Sequence, residues 1–187
     1  MKKVLLLVLS VAVVMSASAS FSQPGTNAIM LYTDQVGPTC NLVTSAAILR
    51  VYAVHDFVVG ATASQFGIDD QSGMSFVSGS ALHQVAVSQP EIRDGIAVTY
   101  DLGCESAPIA VVEYIYFGSG AEPACGTITV VPDVGVQTGE IEGVDCGFVK
   151  NFPNGSVMTI NSDGSCICRF PPAAEENTWG GVKALFR

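Results

Sequence analysis

Few residues of this 187-residue chain have side chains suited to chemistry: two histidines, six cysteines and three groups of neighbouring carboxylates. Nucleophilic catalysis needs a serine or cysteine with a base in reach. Serines are plentiful, but no Gly-x-Ser-x-Gly elbow occurs. His55 stands between Val54 and Asp56 in a strand-like run. Adjacent strand side chains face opposite ways, so His55 and Asp56 do not form a dyad. His55 is expected to be half-buried and hydrogen-bonded to a neighbour, and His83 to sit at a strand edge. Glycosidases hold two carboxyls about 5–10 Å apart in a cleft. Candidates here are Asp69-Asp70, Glu140/Glu142/Asp145 and Glu175-Glu176, all expected in solvated turns. Asn161-Ser-Asp-Gly offers oxygen ligands but lacks the alternating acids and terminal Glu of a calcium loop. Asn154-Gly-Ser156 fits the N-glycosylation pattern and reads as a turn. No residue is assigned a catalytic, cofactor-binding or metal-binding role, and no cofactor is expected.

The cysteines are Cys40, Cys104, Cys125, Cys146, Cys166 and Cys168. An even count in an exported chain reads as three disulfides, and Cys-x-Cys is not a zinc spacing. If Cys166-Ile-Cys168 is strand-like, both thiols point to one side and bond to different partners. That leaves twelve of the fifteen possible pairings. Cys104 and Cys125 bracket the apolar segment Ile109 to Phe117; a strand and its return would bring them together, so Cys104–Cys125 is favoured. Cys40 and Cys146 would then each bond to one of Cys166 and Cys168.

The elements that must hold these groups begin after a removable start. Met1-Lys-Lys3, the apolar run Val4 to Met15 and the small residues Ser16 to Ser20 form the layout of a signal peptide, with cleavage expected after Ala19. The run is too short for a membrane span, which needs about 20 residues. Cleavage leaves six basic residues against seventeen acids, a net charge of −11 where the whole chain has −9. An acidic surface with few bases argues against nucleic-acid binding. With 49% hydrophobic and 13% charged residues, the chain is not disordered.

Beyond residue 25 the pattern is one of short β-branched and aromatic runs bounded by Gly, Pro, Asn and Asp. Strands are expected at Ala28 to Thr33, Ile48 to Val58, Ala63 to Ile68 (ending in a turn at Asp69-Asp70), Phe76-Val77, Leu82 to Val87 and Ile96 to Asp101. Further strands are expected at Ile109 to Phe117, Gly126 to Val131, Glu142 to Val149, Val157 to Ile160 and Ser165 to Phe170. Ile109 to Phe117 is nearly all apolar, as a central strand should be. This predicts an all-β, antiparallel, immunoglobulin-like sandwich over 20–170, stabilised by disulfides, with a closed barrel as the alternative. A Pro171-Pro172 break starts a tail over 171–187. In it Thr178 can cap a short helix with Trp179, Val182, Leu185 and Phe186 at helical spacing. The tail is either a strap that plugs the sandwich or an exposed sorting or docking tag.

Val51-Tyr-Ala-Val-His55, Gly60-Ala-Thr-Ala-Ser-Gln-Phe66, the Cys-x-Cys and the ending Thr178-Trp-Gly-Gly-Val-Lys-Ala-Leu-Phe-Arg187 resemble small exported bacterial β-sandwich proteins. More distantly, the long strand followed by Ala63-Ser-Gln-Phe-Gly-Ile-Asp-Asp70 resembles the opening of cohesin-type sandwiches, a fold that also hosts carbohydrate-binding modules. The resemblance implies a cohesin-like sandwich that binds a protein or glycan partner.

The reading of the whole is a secreted protein of the periplasm, cell surface or medium, without a membrane span in its mature chain. It is expected to be a non-enzymatic binding, adhesion or structural module. The alternatives are a secreted glycosidase-like hydrolase using clustered carboxylates and a calcium-dependent binding module.

Overall fold

The computed structural model describes residues 27–33, 41–56, 58–101 and 103–166. Thirteen strands follow one another: β1 (Ala28–Tyr32), β2 (Asn41–Leu42), β3 (Ala46–Asp56), β4 (Ala61–Gln71), β5 (Ser75–Ala81), β6 (Gln84–Ser88) and β7 (Ile96–Thr99), then β8 (Ile109–Ser119), β9 (Gly126–Val131), β10 (Glu142–Asp145), β11 (Lys150–Asn151), β12 (Asn154–Gly155) and β13 (Val157–Ile160). They form a five-stranded sheet, β12-β1-β3-β8-β5, and an eight-stranded sheet, β11-β10-β4-β9-β13-β2, with β7 on β4 and β6 on β7. The expected all-β sandwich is what forms, antiparallel except for the parallel pairs β1–β12 and β2–β13. Among the described residues no helix is long and apolar enough to cross a membrane.

Alternation explains the layers. β9 reads buried–intermediate throughout, so Ile128 and Val130 face inward while Thr127 and Thr129 face out. Val51, Tyr114, Tyr116, Phe66, Met158 and Ile160 fill the space between the sheets with the inner face of β9. β8, flanked by β3 and β5, is the central strand that its apolar run predicts. Burying each such side chain contributes about 1.5–3 kcal/mol.

Four expectations are corrected. Asp69 and Asp70 lie inside β4, paired with Thr129 and Ile128 of β9. The turn comes after them, at Ser72-Gly73, where the positive φ of Gly73 suits glycine. The expected strand Glu142 to Val149 is a hairpin: β10 ends at Asp145, and its carboxylate accepts from the amides of Gly147 and Val149 at 2.8 and 2.9 Å. Asn154-Gly155 is not a turn but β12, parallel to β1. Ser165 and Cys166 lie in a bend, and residues 167–170 of the expected last strand fall outside the described residues.

The disulfide pairing also differs. Cys104 bonds Cys146 (Cα–Cα 5.0 Å) and Cys125 bonds Cys166 (5.5 Å). Cys104–Cys125 is ruled out because eleven-residue β8, about 36 Å long, separates the two cysteines. The chain does not return along β8; it crosses at the far end and starts β9 in the other sheet. Each end of the sandwich therefore carries its own bridge. Gly60 lies under the first one: a Cβ there would meet Cys146 Sγ at 2.6 Å and Cys104 Sγ at 3.1 Å. Cys40 and Cys168 lie outside the described residues.

Peptide mapping under non-reducing conditions should return Cys104–Cys146 and Cys125–Cys166; three bridges in all would leave Cys40 to Cys168. Bridges closing 42 and 41 residues are each worth about 4 kcal/mol in the chain-entropy description, so a Cys104→Ala/Cys146→Ala chain should lose about that in urea unfolding.

Candidate functional site

The chemistry-bearing residues separate into an interior group and a surface group. The interior group centres on His55, which faces inward from β3 and is fully buried. Its Nε2 lies 2.6 Å from Asn27 Oδ1, and its Nδ1 lies 2.8 Å from Ser64 Oγ and 3.0 Å from the Tyr100 hydroxyl. Ser64 and Tyr100 also bond to each other. Because an amide oxygen only accepts, the Asn27 contact assigns the proton to Nε2 and leaves Nδ1 as acceptor. Asn27 Nδ2 in turn donates to Asn151 Oδ1 at 2.7 Å. The chain of bonds runs from β3 of one sheet to β4, Tyr100 and β11 of the other.

The set looks like a serine–histidine–asparagine triad, but Ser64 is only 2% exposed and Tyr100 4%. The arrangement joins two sheets instead of presenting a nucleophile. Burial lowers the His55 pKa from 6.5 to about 4, so it stays neutral. His83 lies between β5 and β6, with Nε2 3.0 Å from the Ala110 carbonyl. Sequence reasoning placed His55 as a bonded strand histidine but expected it half-buried where it is fully buried between the sheets, and it missed Asn27, Ser64 and Tyr100. The one available signal was Tyr100 continuing the inward series Ile96, Val98.

Among the described residues the expected carboxylate clusters are not brought together as acid–base pairs. Asp70 bonds Arg93 at 3.1 Å, while Asp69 faces solvent. Glu142 bonds Lys150 at 2.5 Å and accepts from Thr138 at 2.8 Å, and Asp145 caps the hairpin turn. In the Asn161 loop, Asn161 Oδ1 accepts from the Thr44 amide, and Asp163 accepts from Ser165. Asp163 also clusters with Cys125 and Cys166, whose sulfurs are spent in their disulfide. Glu175, Glu176, Trp179, Val182, Leu185 and Phe186 lie outside the described residues.

The surface group lies on the outward side of the eight-stranded sheet. A shallow depression of about 100 Å³ there is lined by Ala63, Gln65, Ala97, Thr99, Glu142 and Val144. Beside it all five residues of β6 are exposed; Val87, paired with Ala97, lies on this face, and Val85, paired with the core residue Val98, lies on the other. Strand β10 forms one wall of the depression and continues into the hairpin tip. At the tip Phe148 is 81% exposed, with Val149 also in solvent, as is Phe152 past β11 at the root. Phe148 has φ 60°, a left-handed conformation that costs a non-glycine residue about 1 kcal/mol. Its amide donates to the Asp145 carbonyl, and the Asp145 amide donates to Val149, both at 3.0 Å. Cys146, inside this turn, is bonded to Cys104. The hairpin is pinned at its base and presents an aromatic side chain at a strained position. Neither feature was legible in a segment read as a continuous strand.

No family model matches the chain, and no curated protein matches it in sequence. Among solved structures it is similar to the sixth cohesin of scaffoldin B from Acetivibrio cellulolyticus, solved in complex with a dockerin. That likeness has a TM-score of 0.50 and 10% identity, and covers 73% of this chain and 99% of the cohesin. A cohesin module from a family 33 glycoside hydrolase of Clostridium perfringens overlays with a TM-score of 0.47 and 5% identity, over 74% and 99% of the two chains. At this identity the likeness is one of fold.

The interior group sets a pH dependence. The unfolded chain protonates its histidine near pH 6.5 and the folded chain near 4, so His55 contributes stability that is complete above pH 6.5 and lost as pH falls towards 4. The loss should be about 3 kcal/mol. Urea unfolding at pH 7, 6, 5 and 4 should show this limb, and His55→Gln, less stable at pH 7, should lack it. Hydrogen bonds from Thr44 and the Ser119 amide hold Glu122 at about 2, so its own contribution falls away only below pH 4.5.

Proposed function

We propose that the chain, after loss of residues 1–19, is an exported, non-enzymatic binding module whose sandwich domain spans 20–170. Its partner is a protein, docked on the outward side of the eight-stranded sheet. The observation that carries this reading is the Phe148 hairpin: an aromatic residue held in solvent at positive φ, braced by a disulfide and joined by β10 to an apolar depression. Strained, exposed residues are retained where function uses them. Aromatic anchors carry much of the binding energy at protein interfaces.

Three further observations support the reading. Among the described residues Asp70 and Glu142 are taken up in ion pairs and Asp145 in a turn cap, and the histidine–serine pair is sealed inside, so neither group offers an open catalytic centre. The fold is that of a cohesin which was solved holding a dockerin, a protein ligand. Two disulfides fit an oxidising compartment outside the cytosol, in keeping with the signal-peptide layout.

The test uses a substitution that separates docking from folding. Phe148→Gly removes the side chain but favours the same backbone conformation. The melting temperature should therefore stay level or rise. Affinity capture from the exported-protein fraction of the producing organism should yield a protein that the native chain retains and Phe148→Gly releases. Equal retention by the two chains would overturn the proposed face. Retention on purified polysaccharide, with no protein retained, would overturn the partner class.

A further inference from the structure

The outward side of the five-stranded sheet holds a second apolar cluster, separate from the core. Register places it: Met30 pairs with Val54, which pairs with Ala110; Tyr32 pairs with Tyr52; and Ala28 pairs with Asp56. All of these point away from the eight-stranded sheet, because Ile29, Leu31, Val51 and Ala53 between them face the core. Yet Ala28, Met30, Tyr32 and Val54 are each only 1% exposed. Further along the same face, the paired Ile48 and Phe117 are 68% and 46% exposed, as side chains on an uncovered sheet should be. The Tyr32 hydroxyl is turned along the face to Asp56 instead of out to water. Among the described residues the apolar partners of the cluster are Tyr52 and Ala110, its neighbours in the same plane. Neighbours in the plane of a sheet cannot roof it.

We infer that the C-terminal segment 171–187 is this roof, laid across β1 and β3 with Trp179 on the Met30–Tyr32–Val54 cluster. On the reading proposed above, residues 1–19 with their apolar run Val4 to Met15 are lost on export; among the longer segments that remain beyond the described residues, composition selects the tail. Residues 34–40 contain one large aliphatic side chain, Val36, and join β1 in one sheet to β2 in the other. Residues 20–26, which precede β1, contain one large apolar side chain, the aromatic Phe21. The tail brings Trp179, Val182, Leu185 and Phe186 at helical spacing, enough for an apolar stripe. Reach is no obstacle, since the twenty-one residues after Cys166 can extend to about 70 Å and the whole of β3 is about 36 Å long. The segment is then a structural strap, and it leaves the Phe148 face on the other side of the sandwich open.

Trp179 is the chain's one tryptophan, so fluorescence of the unaltered protein reports on the strap directly. Its emission should be blue-shifted relative to the unfolded chain and resistant to acrylamide. Val54→Asp should shift it to the unfolded value and restore quenching. A chain ending at residue 170 supplies a second reading: Met30, protected from peroxide in the full chain, should become oxidised while the core methionine Met158 stays protected. Trp179 quenched in the native protein as in the unfolded one would overturn the inference. So would Met30 remaining protected in the shortened chain.

Discussion

One crossing of the chain between sheets holds this molecule in register. At Gly155-Ser156 the chain passes from the edge of the five-stranded sheet to the interior of the eight-stranded one. Ser156 donates its amide to Ile29 of β1 and accepts from Val130 of β9, both at 3.0 Å. Its hydroxyl accepts from the Leu31 amide at 2.9 Å. A single residue thus serves both ladders, and the passage is so narrow that a side chain at Gly155 would run into the Val130 carbonyl. Everything upstream of the crossing inherits its position. β12 is fixed on β1 and β10 on β4, so the β10–β11 hairpin between them is held in the eight-stranded sheet at its start and runs on into the five-stranded sheet at its end. The Cys104–Cys146 bridge closes the third side. The rigidity of the Phe148 tip is therefore a consequence of where the sheets are joined.

The interior polar chain obeys the same geometry. A histidine between two sheets is costly unless each nitrogen finds a partner. Here Asn27, Ser64 and Tyr100 supply those partners from elements flanking both sheets. The group sits at the end of the sandwich that also holds Cys104–Cys146. The opposite end uses an equivalent design, in which Asn161 bonds Thr44 and the Glu122 carbonyl beside Cys125–Cys166. Each end thus combines a polar cluster with a covalent one, and the apolar core lies between them. Such placement makes a histidine and a serine near each other a structural pair, whatever their resemblance to a hydrolytic one.

Much of this was legible in the sequence, for physical reasons that differ by element. β8 and β9 were readable because a long apolar run and a clean two-residue alternation survive any tertiary context. His55 was readable because strand periodicity alone assigns it a face. β2 and β12 were not, since two-residue strands have no period and exist only through their partners. Nor was the pairing of Cys104, because its partner depends on which end of the sandwich each loop occupies. The Asp145–Val149 hairpin was hidden by Val144, Phe148 and Val149, which look like strand formers. Gly147 marks a turn there, but the residue at positive φ is its neighbour Phe148.

That neighbour choice bears on how the face can work. Association loses affinity to the ordering of side chains and loops, and a binding loop that is already rigid avoids part of that cost. A hairpin locked by the Asp145 cap and a disulfide has little left to order. One aromatic tip is still far too small, since a stable interface buries about 1,200–2,000 Å² in total. On the proposed reading the adjoining surface must therefore take part, with small residues in the depression and then the exposed Val87 of β6. The edge of β6 not paired with β7 also offers backbone groups to a partner. On the proposed reading, an acidic chain with two lysines beyond the signal segment selects such a partner by shape and apolar contact more than by attraction to acids.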